Sequence, residues 1–346
     1  MKKFIVNFVQ YSIFIGLGIL LLYLSFRGKN FAEIKHYIIS ANYYWVALML
    51  LLGFVALFMR VYRWNILIEP AGYSPKISNT YHAMIIGYTA NYALPRIGEV
   101  VRCGTLSKTE KIPVDVLLGT VIIERIFDVI CLVIFTFLTL ILKLKFFGNY
   151  FKVTILDNLS KKISTSLNFS TLVWVFIIIS ILSILILIYI FRQRILKIAM
   201  VKKLSGLAKG LITGMKTVIK LKRKKEFILY TLAMWFLYFL MSYVLFFALP
   251  STSKLTMVDG LFIFVLGSYG MAAPVQGGMG AYHTLVSAGL IGLYLIPKEE
   301  AVAYTVLSHE TQLISIVLAG TISLFILFLK RRKNGNNLQN IKVENE

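Results

Sequence analysis

The sequence predicts an all-α polytopic membrane protein of about six full transmembrane helices plus two re-entrant helical hairpins, arranged as an inverted repeat. Three observations predict it. Of the 346 residues, 58% are apolar and the mean hydropathy is +0.78, outside the range of soluble domains. Long uncharged runs alternate with basic loops. Two further apolar stretches are interrupted by proline and glycine, and irregular backbone at membrane depth is tolerated only inside protein or along a wet cavity.

The elements follow in order. Phe4 to Phe26 has no charge and follows Lys2 and Lys3. It is long enough to cross a hydrocarbon layer of ~30 Å and too long for a signal-peptide core, so it reads as a retained span. Ala41 to Met59 is a second span, with Tyr43, Tyr44 and Trp45 at its start. Ser78 to Leu94 is moderately apolar and breaks at Pro95 into RIGEVVR. Pro113 to Leu142 reads as a span despite Glu124, Arg125 and Asp128. Thr171 to Phe191 and Phe227 to Leu249 are uncharged. Val258 to Ile296 is broken by Pro274, Gly277, Gly278 and Gly280. Thr311 to Leu329 is the last span, extended at its start by Ala303 to Glu310.

Charge sets the orientation. The loop 192–226 holds twelve Lys/Arg and one acid, and the run Lys330–Lys333 is also basic, so both are placed in the cytoplasm. Parity then requires the Val258–Ile296 stretch to enter and leave from outside, and 78–111 to enter and leave from inside. Both termini are cytoplasmic on this reading. The loop 143–170, with five lysines, is placed outside and disagrees mildly. PRIG and PVQG, starting at Pro95 and Pro274, share Pro and Gly at the same offset, a faint echo between the halves. An inverted repeat is a common transporter plan, with the site at the repeat interface. Residues 1–333 thus form one integral membrane domain. Within loop 192–226, Met200 to Lys225 is amphipathic and suits an anionic inner leaflet, a solvated linker being the plainer alternative. Residues 334–346 are polar and are expected to be disordered.

The net charge of +22 is accounted for by basic loops beside a membrane, and no nucleic-acid partner is expected. Cys103, in a charged loop, and Cys131, in an apolar run, form no metal-binding or disulfide spacing. No metal or cofactor is expected. No nucleophile–base, HExxH or P-loop pattern is present, so no catalytic residue is assigned.

Three groups of residues are candidates for a site. Arg96, Glu99 and Arg102 share one side if they lie on a helix. Two guanidinium forks flanking a carboxylate suit a lipid phosphate; arginines meeting headgroups in an ordinary juxtamembrane loop is the plainer reading. Glu124, Arg125 and Asp128 fall within one third of a helix circumference, about 16 Å into the span. Ionisable groups at that depth are functional candidates by default, the alternative being a structural ion pair. His309 and Glu310, in the last span, are candidate members of the same transport path. Finally, Pro95, Gly98, Pro274, Gly277, Gly278 and Gly280 mark re-entrant backbone. The Gly-rich segment Ala273–His283 offers free amides at a half-helix start, or only a turn.

LPRIGEVVR, the downstream ERIFD, and PVQGGMGAYH together resemble the signatures of the lysylphosphatidylglycerol synthase transmembrane region, or flippase-like, family. The resemblance covers about residues 1 to 332. It implies an inner-membrane protein that moves lipids or lipid-linked headgroups between leaflets. By position it carries over Arg96, Gly98, Glu99 and Arg102, then Glu124, Arg125 and Asp128, then Pro274, Gly277, Gly278 and Gly280. The full synthases add an aminoacyl-transferase domain, for which a chain ending at Glu346 has no room, so lysyl transfer is not expected. The expected function is transport of an anionic or isoprenoid-linked lipid. A membrane enzyme or subunit acting on lipid-linked sugars, and a non-transporting partner, remain the alternatives.

Overall fold

The computed structural model describes residues 16–144 and 221–344, with side chains to 330. The chain divides into two compact units, Met1–Thr136 with Lys220–Glu346, and Phe137–Ile219. Of the second unit only 137–144 are described, and the fold set out here is that of the first. Residues 4–15 of the predicted first span, the span Thr171–Phe191, and the amphipathic segment as far as Lys220 lie outside the described residues.

All regular structure among the described residues is helical. The helices are α1 (Gly16–Phe26), α2 (Phe31–Ser40), α3 (Tyr43–Ile68), α4 (Ile77–Ala93), α5 (Gly98–Glu110), α6 (Val114–Leu142), α7 (Lys224–Val244), α8 (Met257–Ala272), α9 (Ala281–Tyr294) and α10 (Lys298–Glu344). Four of them, α3, α6, α7 and α10, are long and apolar enough to cross a membrane. Ile122, Val133 and Ile134 on α6 and Ile314, Leu318 and Phe325 on α10 are exposed, as lipid-facing side chains are. This is a helical membrane protein.

Local chemistry sets the boundaries. Asn30 and Asn42 cap α2 and α3, their side-chain oxygens accepting from the amides of Ala32 and Tyr44. Thr256 and Asp259 form a reciprocal capping box at the start of α8. Helices α4 and α8 stop just before Pro95 and Pro274, because a residue preceding proline is pushed out of the helical region.

Two boundaries differ from expectation. Helix α3 does not stop at Met59 but runs on to Ile68, since Arg60 and Arg63 are buried together with Val61, Trp64 and Ile66. Helix α10 continues to Glu344, through residues 334–344 of the polar tail expected to be disordered. Extending an existing helix fixes one residue per new hydrogen bond, without repeating the cost of nucleation.

Helices α3 and α7 lie antiparallel, with contacts at both ends. At one end, here the lower, Arg223 Nη1 donates to Glu69 Oε1 at 2.6 Å. At the upper end the Asn42 amide donates to the Ala248 carbonyl at 2.9 Å. Helix α10 starts at the upper end, where Glu300 Oε1 accepts from the Ser251 amide at 2.6 Å. The pair α4–α5 has its base at the lower end. There Asn65 donates to the Pro75 carbonyl at 3.0 Å, and Glu110 Oε1 accepts from the Lys76 amide and the Asn79 side chain at 2.9 and 2.7 Å. The pair α8–α9 has its base at the upper end, between the turn Thr252–Lys254 and Pro297.

The two helical hairpins therefore point at each other, and their tips meet. The Tyr92 ring lies where a Cβ on Gly277 would stand, and Arg96 Nη2 is 3.5 Å from the Ala272 carbonyl. Lipid offers little apolar driving force between helices, so close packing and polar contacts must hold them. Each hairpin is closed through glycine. A Cβ on Gly87 would come within 2.7 Å of the Gly98 carbonyl, and one on Gly270 within 2.6 Å of Tyr282 Cα. The first hairpin is also fixed to α10, where Thr89 Oγ1 donates to the Ile316 carbonyl at 3.2 Å.

Candidate functional site

The charged residues of α6 do not stand alone. Arg60 and Arg63 on α3 and Arg102 on α5 converge on Glu124 and Asp128. Arg60 Nε donates to Glu124 Oε1 at 2.7 Å, and its Nη2 lies 3.1 Å from Asp128 Oδ2. Arg63 approaches Glu124 Oε1 at 3.1 Å and Asp128 Oδ1 at 2.9 Å. Arg102 Nη2 donates to Glu124 Oε2 at 3.0 Å. Glu124 and Arg63 are fully buried.

Aromatic and sulfur groups complete the surroundings. The Arg102 guanidinium lies 4.6 Å from the Trp64 ring centre, and Arg60 lies 5.7 Å from that of Tyr88. Trp64 is held in turn by its indole N–H, which donates to Thr120 Oγ1 at 2.9 Å. Arg102 Nη1 is also 3.0 Å from the Met84 sulfur.

Three guanidinium groups thus face two carboxylates, an excess of one positive charge. Arg63 Nε, Arg102 Nε and the Tyr88 hydroxyl are buried there without a hydrogen-bond partner among the described residues. Buried polar groups are ordinarily satisfied, so this cluster has both charge and donors to spare. Nearer the surface Arg125 pairs with Glu99 and reaches Asp128 Oδ2 at 3.5 Å.

The structure separates residues that the sequence grouped. Arg96, Glu99 and Arg102 do not share one helical face. Helix α5 starts only at Gly98, and Arg96 precedes it in the tip, exposed and at φ 62°. The Asn91 side chain accepts from the Gly98 amide at 2.8 Å and so fixes the start of α5 seven residues on. Arg102 faces the core cluster, and Glu99 faces Arg125. Cys103 is likewise not in a loop but buried within α5. Arg60 and Arg63 were missed as site residues. They directly follow an apolar run and resemble an ordinary positive flank. Their three-residue spacing, with apolar residues continuing to Ile68, was the available signal.

His309 and Glu310 belong to a second cluster. His283, in the first turn of α9, places Nε2 3.1 Å from Glu310 Oε2, and His309 Nδ1 is 3.2 Å from the same oxygen. His309 Nε2 is 2.8 Å from the Gly277 carbonyl in the second tip. The start of α9 is covered by α1 rather than open, for a Cβ on Gly280 would come within 2.5 Å of the Gly18 carbonyl.

Paired shorter helices meeting tip to tip, beside a buried arginine–carboxylate cluster and several long apolar helices, define a helical membrane protein. The chain belongs to the lysylphosphatidylglycerol synthase TM region family, which it matches over residues 9–320. It is also 32% identical over 120 residues to a UPF0104 membrane protein of Methanocaldococcus jannaschii, a match covering 34% of this chain and 33% of that protein. The chain thus spans about a third of the length of that curated relative. No solved structure matches it significantly.

Proposed function

We propose that the protein moves an anionic lipid headgroup between the leaflets of the cytoplasmic membrane, acting as a flippase rather than an enzyme. The observation that carries this reading is the buried cluster of Arg60, Arg63 and Arg102 against Glu124 and Asp128, with one positive charge in excess and donors unpartnered. A phosphate accepts from guanidinium in pairs. Arg96, exposed in the first tip in a left-handed conformation that disfavours a side chain, is the residue best placed to meet a headgroup first. Arg102 and Arg125 then exchange a carboxylate for the phosphate while the tails stay in lipid. The enzyme alternative needs Glu124 or Asp128 as a free base, and guanidinium groups surround both.

In this reading the hairpins α4–α5 and α8–α9 are re-entrant halves of an inverted repeat. The lower end of the fold lies in the cytoplasm with both termini, and the spans expected from sequence at Phe4–Phe26 and Thr171–Phe191 bring the total to about six. The paired ends support it: the basic ends at Arg223 and at the α4–α5 base lie together at the lower end, and the ends that parity places outside, at Asn42, Ala248 and Ser251, lie together at the upper end.

Two experiments test this. Purified protein in liposomes should move a fluorescent anionic phospholipid faster than protein-free vesicles do, as read by a membrane-impermeant reductant. Arg96→Ala should slow it roughly tenfold or more, the equivalent of the 1.5–3 kcal/mol of a hydrogen bond to a charged group. Transport of every lipid at the protein-free rate would remove the proposal. For topology, Ser78→Cys and Lys108→Cys should both react with an impermeant thiol reagent from the cytoplasmic side, and Ser253→Cys from the other. All three positions are exposed, and the native Cys103 and Cys131 are buried. Labelling of residues 78 and 108 from opposite sides would make α4–α5 a crossing rather than a hairpin.

A further inference from the structure

We infer that His283, His309 and Glu310 form a binding site for a divalent transition-metal ion of the zinc type. This goes beyond the transport reading and does not depend on it. It also departs from the sequence expectation, which looked for cysteine spacings and found no metal site.

His309 Nε2 lies 2.8 Å from the Gly277 carbonyl, which can only accept, so that nitrogen bears its hydrogen. In a neutral ring, Nδ1 then holds a lone pair, and it faces a carboxylate oxygen of Glu310 at 3.2 Å. Two electron-rich atoms at that distance need a cation between or beside them. His283 brings a third donor, its Nε2 being 3.1 Å from the same oxygen. These ligand atoms all lie within 4.8 Å of one another. Donors bound to one tetrahedral zinc at ~2.0–2.1 Å stand about 3.3 Å apart, a spacing both histidines already have to Glu310, so binding asks chiefly that the two imidazoles draw closer.

The supporting shell has the form metal sites use. A ligating histidine usually donates its other ring N–H to a carbonyl or carboxylate, and His309 does so to Gly277. His283 is 1% exposed, and ligation through its Nε2 leaves an Nδ1–H that has no partner among the described residues, so the outer shell is complete only at His309. The Tyr282 hydroxyl, next to His283, is fixed by Ser308 at 2.6 Å. Access is also present. Glu310 lines an open cavity of ≈ 350 Å³ whose other walls include Leu22, Phe26, Ile34, Lys35 and Ile38. Two imidazoles and one carboxylate suit zinc-like ions rather than calcium or magnesium, which prefer oxygen throughout. Three protein ligands leave a position on the cavity side for water or another ligand.

The test uses full-length protein without a histidine tag, stripped of metal and held in detergent near neutral pH. Zinc chloride titrated into it by calorimetry should bind at about one equivalent per chain, and the melting temperature should rise with zinc, since an ion that binds only the folded state stabilises it. Cobalt(II) should give the intense visible bands of a tetrahedral site. Glu310→Gln and His309→Ala should each weaken zinc binding at least ~100-fold, more than the ~10–100-fold typical of lost outer-shell partners. His36→Ala, outside the cluster, should bind as wild type does. A flat wild-type titration with a zinc-independent melt overturns the inference and leaves a protonated His309 bound to Glu310. Wild-type affinity in His309→Ala or Glu310→Gln overturns it equally.

Discussion

Replacing Glu124 by glutamine is expected to destabilise the protein by about 3–5 kcal/mol, the usual result of removing one member of a buried ionic group. The change is small in shape and large in charge. Glu124 contacts Arg60, Arg63 and Arg102 at 2.6, 3.1 and 3.0 Å, and without its carboxylate only Asp128 remains to balance all three. These groups are buried in the structure, where bulk water does not compensate a lost carboxylate. A thermal melt in detergent, or unfolding by a denaturing detergent, reads the effect. Adding Arg102→Met should recover part of the loss, because removing both partners leaves less charge uncompensated. Such non-additivity is the signature of groups acting together. A single variant melting like wild type would mean that the three arginines do not depend on Glu124.

The second large effect is expected at Gly280. Valine there must adopt φ 77°, which a β-branched residue strongly resists, at a cost of order 1–3 kcal/mol. Its Cβ would also come within 2.5 Å of the Gly18 carbonyl and 2.7 Å of the Leu22 amide nitrogen, backbone atoms of α1 that cannot swing aside. Overpacking of that kind adds ~1–3 kcal/mol. The loss is therefore on the order of 2–6 kcal/mol, expressed as release of α1 from the second tip. Gly292→Ala is the matched control. It lies within α9, which Gly280 precedes, with nothing within 4 Å of an added Cβ, and alanine is favoured there by ~0.5–1 kcal/mol. Equal melting temperatures for the two variants would show that α1 does not rest on that tip.

Much of the fold was legible because membrane helices are written in runs. Pro113–Leu142 became Val114–Leu142, and the breaks at Pro95 and Pro274 fell where proline forbids the preceding residue a helical conformation. The site was less legible. Spacing along one helix cannot show which partner on another helix takes a charge. Glu99 and Arg102, three residues apart, serve Arg125 and Glu124 respectively. Arg60 and Arg63 were hidden by the habit of ending a span at its first cation, although carboxylates placed deep in α6 require cations at equal depth. His283 was read only as part of a glycine-rich turn. Its meeting with His309 and Glu310 depends on how α9 lies against α10, and no local pattern encodes that.

Tyr92 against Gly277 and Arg96 against the Ala272 carbonyl are contacts that join the two tips, which in the proposed orientation enter from opposite aqueous phases. That junction is then the seal against ion leakage. In that orientation the barrier to ions at this protein rests on Tyr92 and Arg96 keeping those contacts.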